Sequence, residues 1–234
     1  RGQEAQGGGR ARPGVVTVLL ALAGIYAAMM LVRYGRRAVV VLAPTRISSR
    51  PDPREPAATP PQRQAAAALA PLGFRRLGAR VEEGPLGGLG LRSESWADGG
   101  TVFADLFEQG PRPGEPARVQ LLTTFSDGAA VLTADHGRVP RSGPGGELAA
   151  YPGASMERLL AAHREAVARE AARHGPPLPA LDLAARDAAA RAWYRGLGGV
   201  ELRRRLAPFL VNALFAAAVL AYCITSLVRG RAAP

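Results

Sequence analysis

Two long stretches of the chain carry no charge. The first, PGVVTVLLALAGIYAAMMLV, lies between Arg12 and Arg33 and is 20 residues long. The second, LAPFLVNALFAAAVLAYCITSLV, lies between Arg205 and Arg229 and is 23 residues long. A bilayer core of about 30 Å needs roughly 20 apolar residues in a helix. Both lengths fit, so residues 13–32 and 206–228 are expected to cross a membrane. Neither segment has the polar stripe of a buried helix in a soluble protein. The first is longer than the roughly 7–15 apolar residues of a signal peptide, and no small-x-small site follows it. It therefore reads as an anchor.

Between the spans the pattern changes twice. Residues 44–63, PTRISSRPDPREPAATPPQR, hold six Pro and read as a semi-rigid polyproline spacer within a linker at 33–63. Strand-like segments follow a short helix at QAAAALAPLGF: 76–81, 89–95, 101–109, 118–125 and 129–135. Val119, Leu121 and Phe125 alternate to one side, and Asp127-Gly128 marks a tight hairpin. GPRPGEP at 110–116 reads as a looser hairpin loop. From Ser155 the period becomes helical. Met156, Leu160, His163 and Val167 recur at steps of three and four on one stripe, and Ser155 can cap the first amides. A last helix at 183–194 follows Asp182 as its cap. Gly196, Gly198 and Gly199 then read as a hinge within a basic segment at 191–205.

This order predicts an α+β fold. The expected sheet is small and antiparallel, with four to five strands covered by helices. It is expected as a soluble domain at 64–190, inserted between the two transmembrane helices. Residues 1–12 and 229–234 are the tails.

The segments LGF at 72–74, SDG at 126–128 and YPGASMERLLAAHREAV at 151–167 resemble bacterial membrane-tethered domain proteins with no assigned activity. The resemblance covers about half the chain and brings no site residues with it.

Charge sharpens the membrane reading. The net charge is +11, all 30 basic residues being Arg, which first suggests nucleic acid. Residues 1–63 hold ten Arg and three acids, residues 64–190 thirteen Arg and fifteen acids, and residues 191–234 seven Arg and one acid. The excess therefore flanks the spans, and no nucleic-acid partner is expected. Arg33, Arg36, Arg37 and Arg46 follow the first span; Arg191, Arg195, Arg203, Arg204 and Arg205 precede the second. These nine face five on the outer sides. By the positive-inside rule the domain is cytoplasmic, at a bacterial inner membrane, with both termini outside.

Candidate chemistry is sparse. His163 lies on the apolar stripe and reads as a core histidine, with a general base as the alternative. His136, after Asp135, reads as a turn residue, with a catalytic role as the alternative. His174 is expected to complement the end of its helix. One Cys, Cys223 within the second span, excludes a disulfide framework, and no zinc pattern or GxSxG elbow occurs. GPLGGLGL at 84–91 lacks the ending of a phosphate loop, and Glu82-Glu83 reads as a solvated strand end. No cofactor or metal is expected. Gly24 with Ala28, and Ala213, Ala217, Ala221 and Thr225, form small-residue ridges that let membrane helices approach. Asn212 is the most polar residue within either span. The expected partners are membrane lipid and either integral membrane proteins or a second copy.

These features lead to a non-catalytic reading: an accessory, assembly or sensing subunit of a membrane complex with a cytoplasmic docking domain. The alternative is a membrane-tethered enzyme using a histidine of the soluble domain.

Overall fold

The structure is a computed structural model that describes residues 13–54, 58–87, 89–107, 117–137 and 140–232. The expected loop at 110–116 lies outside the described residues. The chain forms two compact units, Arg1–Ala38 with Leu206–Pro234, and Val39–Arg205.

The first unit contains most of two long helices, α1 (Pro13–Leu42) and α5 (Leu197–Ala232). Both are long and apolar enough to cross a membrane, over Gly14–Leu42 and Leu197–Arg229. Each extends beyond the charge-free stretch that announced it. Residues 33–42 continue α1, and residues 197–205 begin α5.

The second unit is α+β. Its strands are β1 (Ser48–Pro51), β2 (Arg75–Glu83), β3 (Gly90–Ala97), β4 (Phe103–Phe107), β5 (Arg118–Thr124), β6 (Ala130–Ala134), β7 (Arg141–Gly143) and β8 (Gly146–Ala150). They form one sheet in the order β1-β2-β3-β4-β5-β6-β8-β7. All neighbours pair antiparallel except β6 and β8, which are parallel. This corrects the expectation of a small antiparallel sheet of four to five strands inserted between two membrane helices. The sheet is mixed and eight-stranded, and two apolar helices flank the ends of the described chain. Three strands escaped the sequence pattern: β1 and β7 are short and made largely of Pro, Gly, Ser and Arg, and β8, GELAA, has no β-branched or aromatic residue. β1 lies within the expected spacer and pairs with β2 from Ser48↔Glu83 to Pro51↔Arg80. As an edge strand it tolerates Pro51.

Helix α2 (Pro60–Leu69) starts before the alanine run, because Thr59 and Gln62 form a capping box and Pro60 supplies the first turn. It ends through Gly73, whose φ of +87° takes the left-handed conformation that closes a helix. Helix α3 (Met156–His174) is capped by Ser155 and α4 (Leu183–Arg195) by Asp182.

Alternation along the strands sends Leu106, Val119 and Leu121 to one face, where Leu69 of α2 and Leu159 and Leu160 of α3 complete a buried cluster. Nearer the hairpin, Phe125 and Val131 pack with Ala166 and Val167 of α3. Arg80 and Asp105 alternate to the opposite face, which α4 covers.

Of the glycines after α4, Gly198 and Gly199 lie in the first turn of α5. A Cβ on Gly198 would run into the Trp193 indole, and one on Gly199 into the Tyr194 carbonyl. They let the start of α5 pack closely against the end of α4.

Candidate functional site

His163 projects from α3 onto β5 and β6 and is fully buried. The Thr123 hydroxyl donates to the Thr101 carbonyl at 2.9 Å. It therefore accepts from His163 Nε2, 3.0 Å away. His163 Nδ1 then accepts from the Thr133 hydroxyl at 2.9 Å. The network thus assigns the Nε2–H tautomer. Burial, with a smaller contribution from Arg164, pushes the imidazole pKa down to about 3. Both nitrogens are occupied by threonines that sequence reasoning did not single out.

His136 stands at the end of β6 and is partly exposed. Gln120 Nε2 approaches its Nε2 at 3.3 Å, and Asp135 Oδ1 lies 2.8 Å from its Nδ1. Asp135 Oδ1 also accepts the Val119 amide at 2.9 Å, tying the pair to β5. His174, at the end of α3, places Nδ1 2.6 Å from Asp127 and Nε2 3.2 Å from Glu170. Asp127 is the hairpin residue. The Ala129 amide and then His174 hold its carboxyl below the ordinary range.

The densest polar constellation was not anticipated. On the α4 face of the sheet, Arg80 and Arg186 meet Glu82, Asp105 and Asp187, all buried. Arg80 Nη1 donates to Glu82 at 2.8 Å, and its Nη2 lies 3.4 Å from Asp187. Arg186 Nε donates to Asp105 at 3.0 Å, and its Nη2 contacts the same carboxylate. Ser95 donates to Asp105 at 2.5 Å, Tyr194 donates to Glu82, and Ser49 links Arg80 to Asp187. Burial alone would raise the Asp105 carboxyl; Arg186 and Arg80 outweigh it and hold the group below its ordinary value. Burial likewise opposes the Arg80 charge, yet Glu82, Asp105 and Asp187 raise its pKa. The cluster ties β1, β2 and β4 to α4. Glu82, expected as a solvated strand end, lies inside it. The legible signal was Arg80-x-Glu82: two opposite charges on one face of a strand.

Beside this cluster lies a groove of about 800 Å³ between the β5–β6 turn, the 178–181 segment and α4. Phe103, Leu178, Leu181, Ala185 and Ala192 supply apolar walls, with Asp127 and Arg195 on its rim.

In the helical unit α1 and α5 run antiparallel. Gly24 packs against Cys223: a Cβ at Gly24 would stand 3.5 Å from the Cys223 Cβ. The Tyr34 and Phe209 rings meet at 5.9 Å. The α5 seam is Ala213, Ala216 and Cys223, all buried, rather than a strict four-residue ridge. Ala217 and Ala28 are half-buried, while Ala221 and Asn212 are exposed. With half-buried Leu220, which also lies against Gly24, the seam steps by three, four and three, as in left-handed helix pairs. Of the flanking basic residues, Arg37 lies over the Phe209 ring at 4.5 Å and Arg33 lies 5.9 Å from the Tyr34 ring. Arg36, Arg203, Arg204 and Arg205 are exposed.

No group of three or more His, Cys, Asp or Glu among the described residues is arranged to hold a metal ion. No family model, curated protein or solved structure matches the chain.

Proposed function

We propose that the chain is a non-catalytic membrane subunit. Its two helices cross a bacterial inner membrane and hold the α+β domain on the cytoplasmic side, where it serves assembly, docking or sensing within a membrane complex. One observation carries this reading. The helical unit turns small residues inward and leaves a broad apolar exterior, including Leu22, Ile25, Met29, Val211, Leu214 and Ile224, that only lipid or membrane protein can cover.

The state of the histidines supports the non-catalytic part. His163 has both nitrogens engaged, and His174 faces two carboxylates. The enzyme alternative rests on His136, which keeps partial exposure beside Asp135. The basic flanks support the orientation.

Purification of the full chain in mild detergent tests the reading. A complex containing a stoichiometric membrane protein or a further copy is expected, and a clean monomer in repeated preparations would overturn it. Protease treatment of spheroplasts is expected to spare the region between the helices, and its digestion would overturn the orientation.

A further inference from the structure

We infer that the turn between β2 and β3 is a membrane-contact element, and that Leu86 at its centre inserts among the headgroups and upper acyl chains of the bilayer. The inference rests on the proposal that α1 and α5 cross that bilayer.

The turn is Pro85–Gly87, within the uncharged run GPLGGLGL at 84–91. It is held closed. The Gly87 amide donates to the Gly84 carbonyl at 3.1 Å, and the Gly84 amide donates to the Leu89 carbonyl at 3.0 Å. Leu86 therefore has a fixed place, and that place is unfavourable on two counts. Its φ of +56° lies in the left-handed region, where a side chain crowds its own backbone. Glycine or asparagine would fit there at less cost. The run has glycines on both sides, yet a leucine holds the position. The side chain is also 70% exposed, so little burial within the domain offsets the strain. Leu91, one residue into β3, is 37% exposed. Backbone strain that the fold does not use points to a contact outside it.

The position of the turn identifies that contact. Gly84 seats it on α1: a Cβ there would stand 2.8 Å from the Val40 side chain. Arg33, Arg36 and Arg37 of the same helix follow the charge-free span and mark the headgroup level. Val40 is three residues past Arg37, or about 4.5 Å along the helix axis. Leu86 is two residues from Gly84, a reach of up to about 7 Å. The headgroup layer is itself roughly 5–8 Å deep, so the leucine lies within reach of it. Because α1 is the tether, the turn is held beside that surface whenever the helix spans it. The chemistry agrees. Pro85, Leu86 and Gly87 bring no charge to desolvate and no side-chain hydrogen bond to lose. Interfacial segments bury apolar side chains about 5–10 Å into the boundary between headgroups and acyl chains.

The test uses the full chain in vesicles of phosphatidylcholine and phosphatidylglycerol. Cys223→Ala removes the chain's single thiol. One cysteine at a time is then introduced and labelled with a polarity-sensitive fluorophore: Leu86→Cys, Ser126→Cys in the exposed β5–β6 turn, or Leu22→Cys on the apolar exterior of α1. The Leu86 label is expected to emit to the blue of the Ser126 label, to be quenched several-fold less by iodide, and to be quenched by spin-labelled lipid. Leu86→Asn tests the leucine itself, because asparagine tolerates the left-handed turn and brings no apolar side chain. Added to a chain labelled through Leu91→Cys, it is expected to shift that label toward water. In detergent the urea midpoint of Leu86→Asn is expected to be unchanged or raised.

A Leu86 label as open to iodide as the Ser126 label would overturn the inference, as would a Leu91 label that Leu86→Asn does not move. A Leu86 label shielded from iodide yet untouched by the lipid quencher would also overturn it, because protein then covers the turn. A lowered urea midpoint for Leu86→Asn would do the same, because the fold then uses the leucine. If the Leu22 label is quenched by lipid in any of these cases, the membrane-subunit reading stands while the inference fails. If the Leu22 label lies in water as well, both fail.

Discussion

His163 offers a direct probe of the domain's core through the pH dependence of stability. Its imidazole has a pKa near 6.5 in the unfolded chain, lowered to about 3 in the folded one. The unfolded state therefore binds the proton first as pH falls. Stability contributed by neutral His163 is fully present above 6.5 and is lost progressively between 6.5 and about 3. Those two values imply a loss of about 2 kcal/mol between pH 7 and pH 5 from this one residue. His163→Gln removes the titration and keeps a hydrogen-bonding side chain between Thr123 and Thr133. Urea unfolding of the full chain in mild detergent, followed by tryptophan fluorescence, reads the effect. Trp96 and Trp193 both belong to the α+β unit. The natural chain should lose about 2 kcal/mol more than the variant over that interval. The remaining groups are common to both proteins and cancel in the difference. Parallel stability curves would refute the burial of a neutral imidazole. A large loss of stability in the variant at pH 7 would not, because the comparison concerns slope.

Two further substitutions test the α4 face. Arg186→Ala leaves the buried Asp105 carboxylate with the Ser95 hydroxyl and, as its cation among the described residues, Arg80 at 3.8 Å. Breaking one partner from such a cluster costs about 3–5 kcal/mol, and a fall below 1 kcal/mol in urea unfolding would show that α4 is not anchored there. Gly198→Ala should press a methyl group into the Trp193 ring, lowering stability by about 1–3 kcal/mol and shifting Trp193 emission. Gly145→Ala, where the nearest atom is 3.6 Å from the new Cβ, is the control, and equal behaviour of the two variants would refute the close α4–α5 contact.

Much of the domain's outline was legible. Asp127-Gly128 turns the β5–β6 hairpin, with Gly128 at φ +90° and the Phe125–Ala129 bond at 2.9 Å. The stripe carrying Leu160, His163 and Val167 is buried. Such features depend on local conformation and period, which a single sequence displays. The parallel β6–β8 pairing was not legible, because GELAA has no strand signature of its own. It depends on Gly146, at φ +111°, where any Cβ would collide with the Ala130 carbonyl. The ionic cluster was hidden for a related reason. Alternation places Arg80 and Glu82 on one face, but only the docking of α4 makes that face an interior.

The sequence by itself therefore determined two charge-free stretches of membrane-crossing length, the Arg bias at their ends and the alternation of strands and helices. These are one-dimensional properties, written in the spacing of apolar and charged residues. Tertiary structure decided the strand count, the pairing of His163 with two threonines and the conversion of five charged side chains into a buried network. Each joins residues distant in the chain, and the burial that sets their energies exists only once the sheet and its covering helices have come together.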